Sequence, residues 1–104
     1  MMTSRLALKP SVALAQHREQ VLALIAAMPT LSNPRVFGSV LHGTDDEDSD
    51  IDLLVDAARG TTFFDLAQMQ ENLCSLLGFP VQVLTAGGLS AKFRDEVLRE
   101  AAPL

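Results

Sequence analysis

Apolar positions recur at helical spacing near the start of the chain. Leu14, Val21, Leu22, Ile25 and Met28 share one face with Arg18, which predicts a helix over about 11–28. Ser11 suits its N-cap, Pro29 stops it, and "TLSNP" reads as a loop. The period then shortens. Arg35 to Phe37 reads as a short strand ended by Gly38 and Ser39, with a brief helix from Ser39 toward His42. "GTDDEDSD" is a polar loop. "IDLLVD" is a strand with Ile51, Leu53 and Val55 on one face and Asp50 and Asp52 on the other. Helical spacing returns at Leu66, Met69, Leu73, Leu76 and Leu77, with a capping-box pair at Thr62 and Asp65 and a stop at Gly78. "VQVLT" is another strand and "AGG" a turn. A last helix over about 89–100 turns Leu89, Phe93 and Val97 inward. The order helix, strand, short helix, strand, helix, strand, helix predicts a small α/β (α+β) domain, a mixed sheet with helices packed on it.

Length and composition narrow this picture. A chain of 104 residues, 48% hydrophobic, predicts a single folded domain over 1–104 with one modest core. A net charge of -5 argues against a direct grip on nucleic acid, while leaving room for a nucleotide whose phosphates meet the acids through metal ions, and for a basic protein partner. The single cysteine, Cys74, permits no internal disulfide and fits a reducing cytoplasm; on its apolar helix face it reads as core packing. The longest apolar run, Val21 to Met28, is far short of the roughly 20 residues that span a bilayer. The N-terminus lacks the pattern of a secretory signal.

The segment from Val36 to Asp56 carries the chemistry. It crowds six acidic side chains (Asp45, Asp46, Glu47, Asp48, Asp50, Asp52) into eight positions and buries the tail of that run in Ile and Leu. Residues i and i+2 of a strand point the same way, about 6.5–7 Å apart. Asp50 and Asp52 can therefore share a divalent cation, and Mg2+ prefers carboxylate and phosphate oxygens. Gly38 removes a side chain where a phosphate could approach the backbone, Ser39 adds a hydroxyl, and a helix starting there adds free N–H groups. Each piece alone is an ordinary turn or a solvated loop. An EF-hand reading fails, because its sixth and twelfth positions would be Ile51 and Ala57. No Gly-Lys-Ser/Thr tripeptide and no Cys/His zinc spacing occurs.

The joint spacing is more specific. Gly38-Ser39, ten residues, then Asp50-Ile51-Asp52 resembles the nucleotidyltransferase superfamily with the polymerase-β-like fold. The short chain resembles its minimal nucleotidyltransferase branch, commonly the antitoxin half of a pair with a HEPN-domain RNase toxin. The resemblance runs from about Arg35 to Leu104, including a closing helix and tail. It implies that Gly38 and Ser39 bind phosphate and that Asp50 and Asp52 bind metal and carry catalysis. It further implies Mg2+ as cofactor, ATP as substrate, and transfer of AMP to a tyrosine hydroxyl of the toxin. Two positions depart from the pattern. The third carboxylate, which helps activate the incoming hydroxyl, is replaced by Gln82, which cannot accept a proton at neutral pH. A basic residue near the triphosphate is replaced by His42, a nucleotide-binding candidate that also fits a surface histidine. Asp56 cannot substitute for the missing acid, being about 13 Å along the strand from Asp52.

Three functions follow: an adenylylating antitoxin; a catalytically weak or inactive binding module that neutralises its partner by complex formation, favoured by Gln82; and, less favoured, a nucleotidyltransferase for a small molecule such as an antibiotic, whose larger relatives carry an extra helical domain. Apolar residues on the first and last helices suit a hetero-complex with the toxin or self-association.

Overall fold

The computed structural model describes residues 9–104. The expected absence of a leader and the first eight residues of the expected domain lie outside them. Among the described residues no helix is long and apolar enough to cross a membrane.

The first helical stretch is two helices, α1 (Pro10–Gln16) and α2 (Arg18–Ala26). Pro10 occupies the first turn of α1, where its missing N–H costs nothing, so Lys9 rather than Ser11 is the N-cap. His17 breaks the helix at φ -112, ψ 21, ending α1 and preceding α2. Ser11 lies in the first turn of α1, where its N–H has no intrahelical partner and is free for a different task, described below.

Strand β1 (Leu31–Phe37) begins within the predicted loop. Asn33 takes φ 52, and the register shifts between Ser32 and Arg35. This bulge lets Pro34 sit in a strand without breaking the ladder on either side. The chain continues through α3 (Gly38–His42), β2 (Ile51–Ala57), α4 (Phe63–Leu77), β3 (Val81–Leu84), a 3-10 turn at Ala86–Gly88, α5 (Ala91–Glu100) and β4 (Ala102–Pro103). The sheet is mixed, in the order β3-β2-β1-β4. β1 runs antiparallel to β2 and β4, and α4 carries the chain between the parallel pair β2 and β3. The two-residue β4, which the sequence reading left as tail, pairs Ala102 with Val36 and Pro103 with Arg35.

The core lies on one face of the sheet. Ile51, Leu53 and Val55 are fully buried against Val81, Val83, Val21, Ile25, Met69 and Leu73. Helix α4 has the predicted capping box, with Thr62 Oγ1 accepting from the Asp65 N–H and the Asp65 carboxylate accepting from the Thr62 N–H. Gly78 closes it at φ 78. The same helix covers the outer edge of β3: Cys74 Sγ accepts the Val81 N–H at 3.3 Å and Gln70 Oε1 accepts the Val83 N–H at 2.9 Å. Those donors are thereby closed to edge-to-edge pairing.

Helix α5 departs from expectation. It contains no buried residue, and Phe93 is 52% exposed. The helix is held instead by its ends. Arg94 donates to the carbonyls of Ala86 and Leu89, and β4 pins its exit to β1. The apolar face expected to join the core lines an open groove.

Candidate functional site

The site is built where β1 ends beside β2. Phe37 lies opposite Asp52 across the antiparallel pair, and Gln82 lies beside Asp52 across the parallel pair. Residues in register on neighbouring strands point to the same face. Asp52 and Gln82 thus share the face away from the main core, with Gly38 beginning α3 immediately after Phe37.

Gly38 is required here for two reasons. Its φ of +76 lies in the left-handed region, which side chains disfavour. A Cβ at this position would also collide with Asp52 Oδ2. The space that the missing side chain leaves is taken by the Asp52 carboxylate, a tighter role than leaving the backbone open to a phosphate. Ser39 follows, half-buried, and its carbonyl accepts the Thr44 N–H at 3.0 Å. With α3 only five residues long, the case for phosphate rests on individual N–H groups and the hydroxyl rather than on a macrodipole.

The acidic run divides by function. Asp45 is buried, and its Oδ2 accepts the Ser11 N–H at 2.8 Å, tying the loop to α1. Burial by itself would raise its pKa. The Ser11 N–H and hydroxyl, its own backbone N–H and the charge of Lys9 outweigh burial and hold the carboxyl below the ordinary 3.8. Asp46 accepts from the Asp48 N–H and the Ser49 hydroxyl, while its own N–H donates to Ser49 Oγ, which fixes the turn. Glu47 and Asp48 are exposed. Asp56 is engaged at the far end of β2, pairing with Arg35 at 2.6 Å and accepting from Asn33 at 3.1 Å. The loop therefore does not gather six acids around one ion. It spends two on its own geometry.

Asp50 and Asp52 remain. Asp50 is exposed and Asp52 half-buried. Burial pushes the Asp52 carboxyl above 3.8, and the charge on Asp50 pushes it further. A like-charged pair strained in this way suits a divalent cation. Among the described residues no three His, Cys, Asp or Glu side chains gather as a complete ligand set. Two carboxylates fit Mg2+, which completes its shell with water and substrate phosphate oxygens.

His42 sits one turn beyond Gly38, and its Nε2 lies 3.0 Å from Glu100 Oε1 on α5. Gly38, Leu41 and His42 form one wall of a groove of about 370 Å³, with Phe93, Val97 and Glu100 among the residues opposite. Sequence reasoning missed this groove. Its signal was present, because Leu89, Phe93 and Val97 share one helical face, but that pattern reads equally well as core.

The profile of the nucleotidyltransferase domain matches residues 31–104. A Methanocaldococcus jannaschii protein whose name places it among the protein adenylyltransferases is 36% identical over 66 residues, which is 64% of this chain and 71% of the relative. The protein adenylyltransferase MntA of Thermococcus cleftensis is 37% identical over 65 residues, 62% of this chain and 66% of that protein. Among solved structures, a minimal nucleotidyltransferase superposes with TM-score 0.79 at 44% identity, covering 90% of this chain and 95% of its own. A mutant MntA–HpeT toxin–antitoxin complex superposes with TM-score 0.70 at 25% identity, covering 84% of this chain and 70% of its own.

Proposed function

The chain belongs to the nucleotidyltransferase domain family, and from that premise we propose that it is an antitoxin that transfers AMP from ATP to a tyrosine hydroxyl of a partner HEPN-domain RNase. The observation that carries this reading is the Gly38–Asp52 contact with Asp50 alongside. It joins a backbone turn suited to phosphate to a carboxylate pair suited to metal. Relatives named for protein adenylyltransferase activity and a neighbour within a toxin–antitoxin complex supply the substrate and partner classes.

In this reading Ser39 and the first N–H groups of α3 hold the terminal phosphates, and Asp50 and Asp52 hold Mg2+. Bound there, Mg2+ neutralises the phosphates and steadies the attacking and leaving oxygens. The acceptor hydroxyl oxygen bonds to the α-phosphorus, the bond to the β-phosphate oxygen breaks, and pyrophosphate departs. The hydroxyl proton passes to solvent, since Gln82 beside Asp52 has no basic group at neutral pH. The absence of a general base typically costs about 10²–10⁴-fold.

That same Gln82 favours a second reading, in which the domain binds nucleotide and silences its partner by stable contact alone. The intact mass of the partner toxin after incubation with this protein, ATP and Mg2+ separates the two. Increments of AMP that disappear with Asp50→Asn plus Asp52→Asn establish transfer. An unchanged mass with a stable complex, in which the double variant still neutralises the toxin, establishes the binding module. Modification that persists in the double variant would show that the site is misassigned.

A further inference from the structure

The end of the molecule remote from Asp50 and Asp52 carries its most exposed large apolar side chains. β2 runs from Ile51 to Ala57, which puts Ala57 about 17 Å along the strand from Asp52. Beyond that end the chain enters α4 with Phe63 and Phe64, which are 89% and 86% exposed. Two adjacent rings left in water on one helix differ from the singly scattered apolar residues of an ordinary surface. The outward face of α4 continues through Ala67, Gln68, Glu71 and Ser75. Of these six residues only Glu71 is charged. The nearby Asp65 is engaged in the capping box. Beside the rings lies an open, mainly apolar pocket of about 380 Å³, with Leu66, Ala67, Val83 and Leu84 among its walls. A protruding ring and a recess thus lie one turn apart on the same helix.

We propose that this face is a two-fold interface with a second copy of the chain. The two α4 helices run antiparallel, and Phe64 of each copy enters the pocket at Ala67 of the other. Under a two-fold axis residue i meets j and j meets i, so one patch must carry both the knob and the recess, as this one does. The same symmetry brings Arg59, in the loop ahead of α4, to Glu71 of the second copy, because a step back along one helix is a step forward along the other. Arg59 is exposed and makes no ion pair among the described residues. Within one copy the two cannot meet, since Glu71 lies about 12 Å along the helix axis from Phe63, and Arg59 precedes Phe63. Charge favours a second copy here. Two chains of net charge -5 repel over most of their surfaces, and on this face the charges that remain are opposite. Four rings, two from each copy, can bury roughly 150–250 Å² apiece. They supply most of the roughly 1,000 Å² at which specific interfaces begin. Such an interface gives a weak, reversible dimer, and it leaves both Asp50–Asp52 pairs open at the ends away from the contact.

The test is sedimentation velocity of the full chain from about 1 to 500 µM, a range that spans micromolar dissociation constants. The parent should pass from monomer to dimer within it. Phe64→Ser should keep its melt, because the ring is exposed, and should weaken the dimer by about 30-fold or more. Arg59→Glu and Glu71→Arg should each weaken it by about tenfold or more, since each sets like charges against each other twice. An equimolar mixture of these two variants should dimerise like the parent, because every pair across the axis is then opposite in sign. A parent that stays monomeric throughout overturns the proposal, and if Phe64→Ser then abolishes binding of the partner toxin, the face belongs to that partner. A dimer that survives Phe64→Ser, or one indifferent to both charge reversals, overturns it as well. So does a mixture that associates no better than either variant alone.

Discussion

Asp45 and Asp52 stand seven positions apart in one acidic run, and their surroundings treat them oppositely. Asp45 is buried among donors: the Ser11 N–H reaches it at 2.8 Å, and its pKa falls. Asp52 is half-buried beside another acid, pressed against Gly38, and its pKa rises. One carboxylate has its partners within the fold. The other lacks them, and the cation proposed for this pair would relieve its strain. Perturbed carboxylates of the second kind cluster at functional sites. The contrast favours Asp52 over Asp45 for the proposed site without reference to any motif.

The largest expected effect comes from extending the Asp52 side of this contrast. Gln82→Glu places a third carboxylate beside Asp52 on the same face of the sheet. A group able to take the acceptor's proton should raise the rate of AMP transfer about 10²-fold, the low end for general-base catalysis. The same substitution adds a third like charge and should lower the melting temperature in the absence of Mg2+. Single-turnover rates on the partner toxin, paired with melts with and without Mg2+, check both. A rate no higher than that of the parent chain would show that proton removal does not limit transfer.

The Asp45 side breaks differently. Asp45→Ala leaves the Ser11 N–H without its partner in a part-buried setting and should cost about 1–3 kcal/mol of stability. The effect depends on pH. With the folded pKa below 3.8, the stabilising contribution of Asp45 is fully present above that value and fades as pH falls through the lower folded value. Urea unfolding should therefore show parent and variant well separated at pH 7 and converging in strong acid. A constant gap at all pH values would mean that Asp45 acts through packing and not through its charge.

How much of this was legible in the sequence depends on whether the signal was local. The capping box of α4, its stop at Gly78 and the alternation of Ile51, Leu53 and Val55 each lie within a few residues, and all appear as expected. The placement of Gln82 beside Asp52, expected only from the resemblance to the nucleotidyltransferase superfamily, is seen in the pairing of β2 with β3. The break at His17 was hidden because Leu14, Val21 and Ile25 keep helical spacing across it. The strand through "LSNP" was hidden because Pro34 and Asn33 are turn residues, and only the long-range pairing of β1 with β2 and β4 makes them a bulge. The structural role of Asp45 was hidden because its donor, Ser11, lies 34 residues away. The exposure of Phe93 was misread because periodicity gives the face a residue occupies and not what that face meets.

The smallest effect is one on stability, and it is the sharpest test of the contrast, since it reverses sign. Asp52→Asn should abolish the proposed transfer and yet stabilise the protein without metal, raising its melting temperature by a few degrees. The folded pKa of Asp52 lies above 3.8, so the folded state holds its proton to higher pH than the unfolded chain. Stability is therefore lost as pH rises from 3.8 through the folded value, and the cost is complete above it. Asparagine carries no charge and escapes that cost. Parent and variant should melt nearly together in acid and diverge toward neutrality, where the parent alone should then gain stability from added Mg2+. Should Asp52→Asn instead lower the melting temperature at pH 7 in the absence of Mg2+, Asp52 would be a satisfied structural acid like Asp45, and the strained carboxylate pair would no longer mark the site.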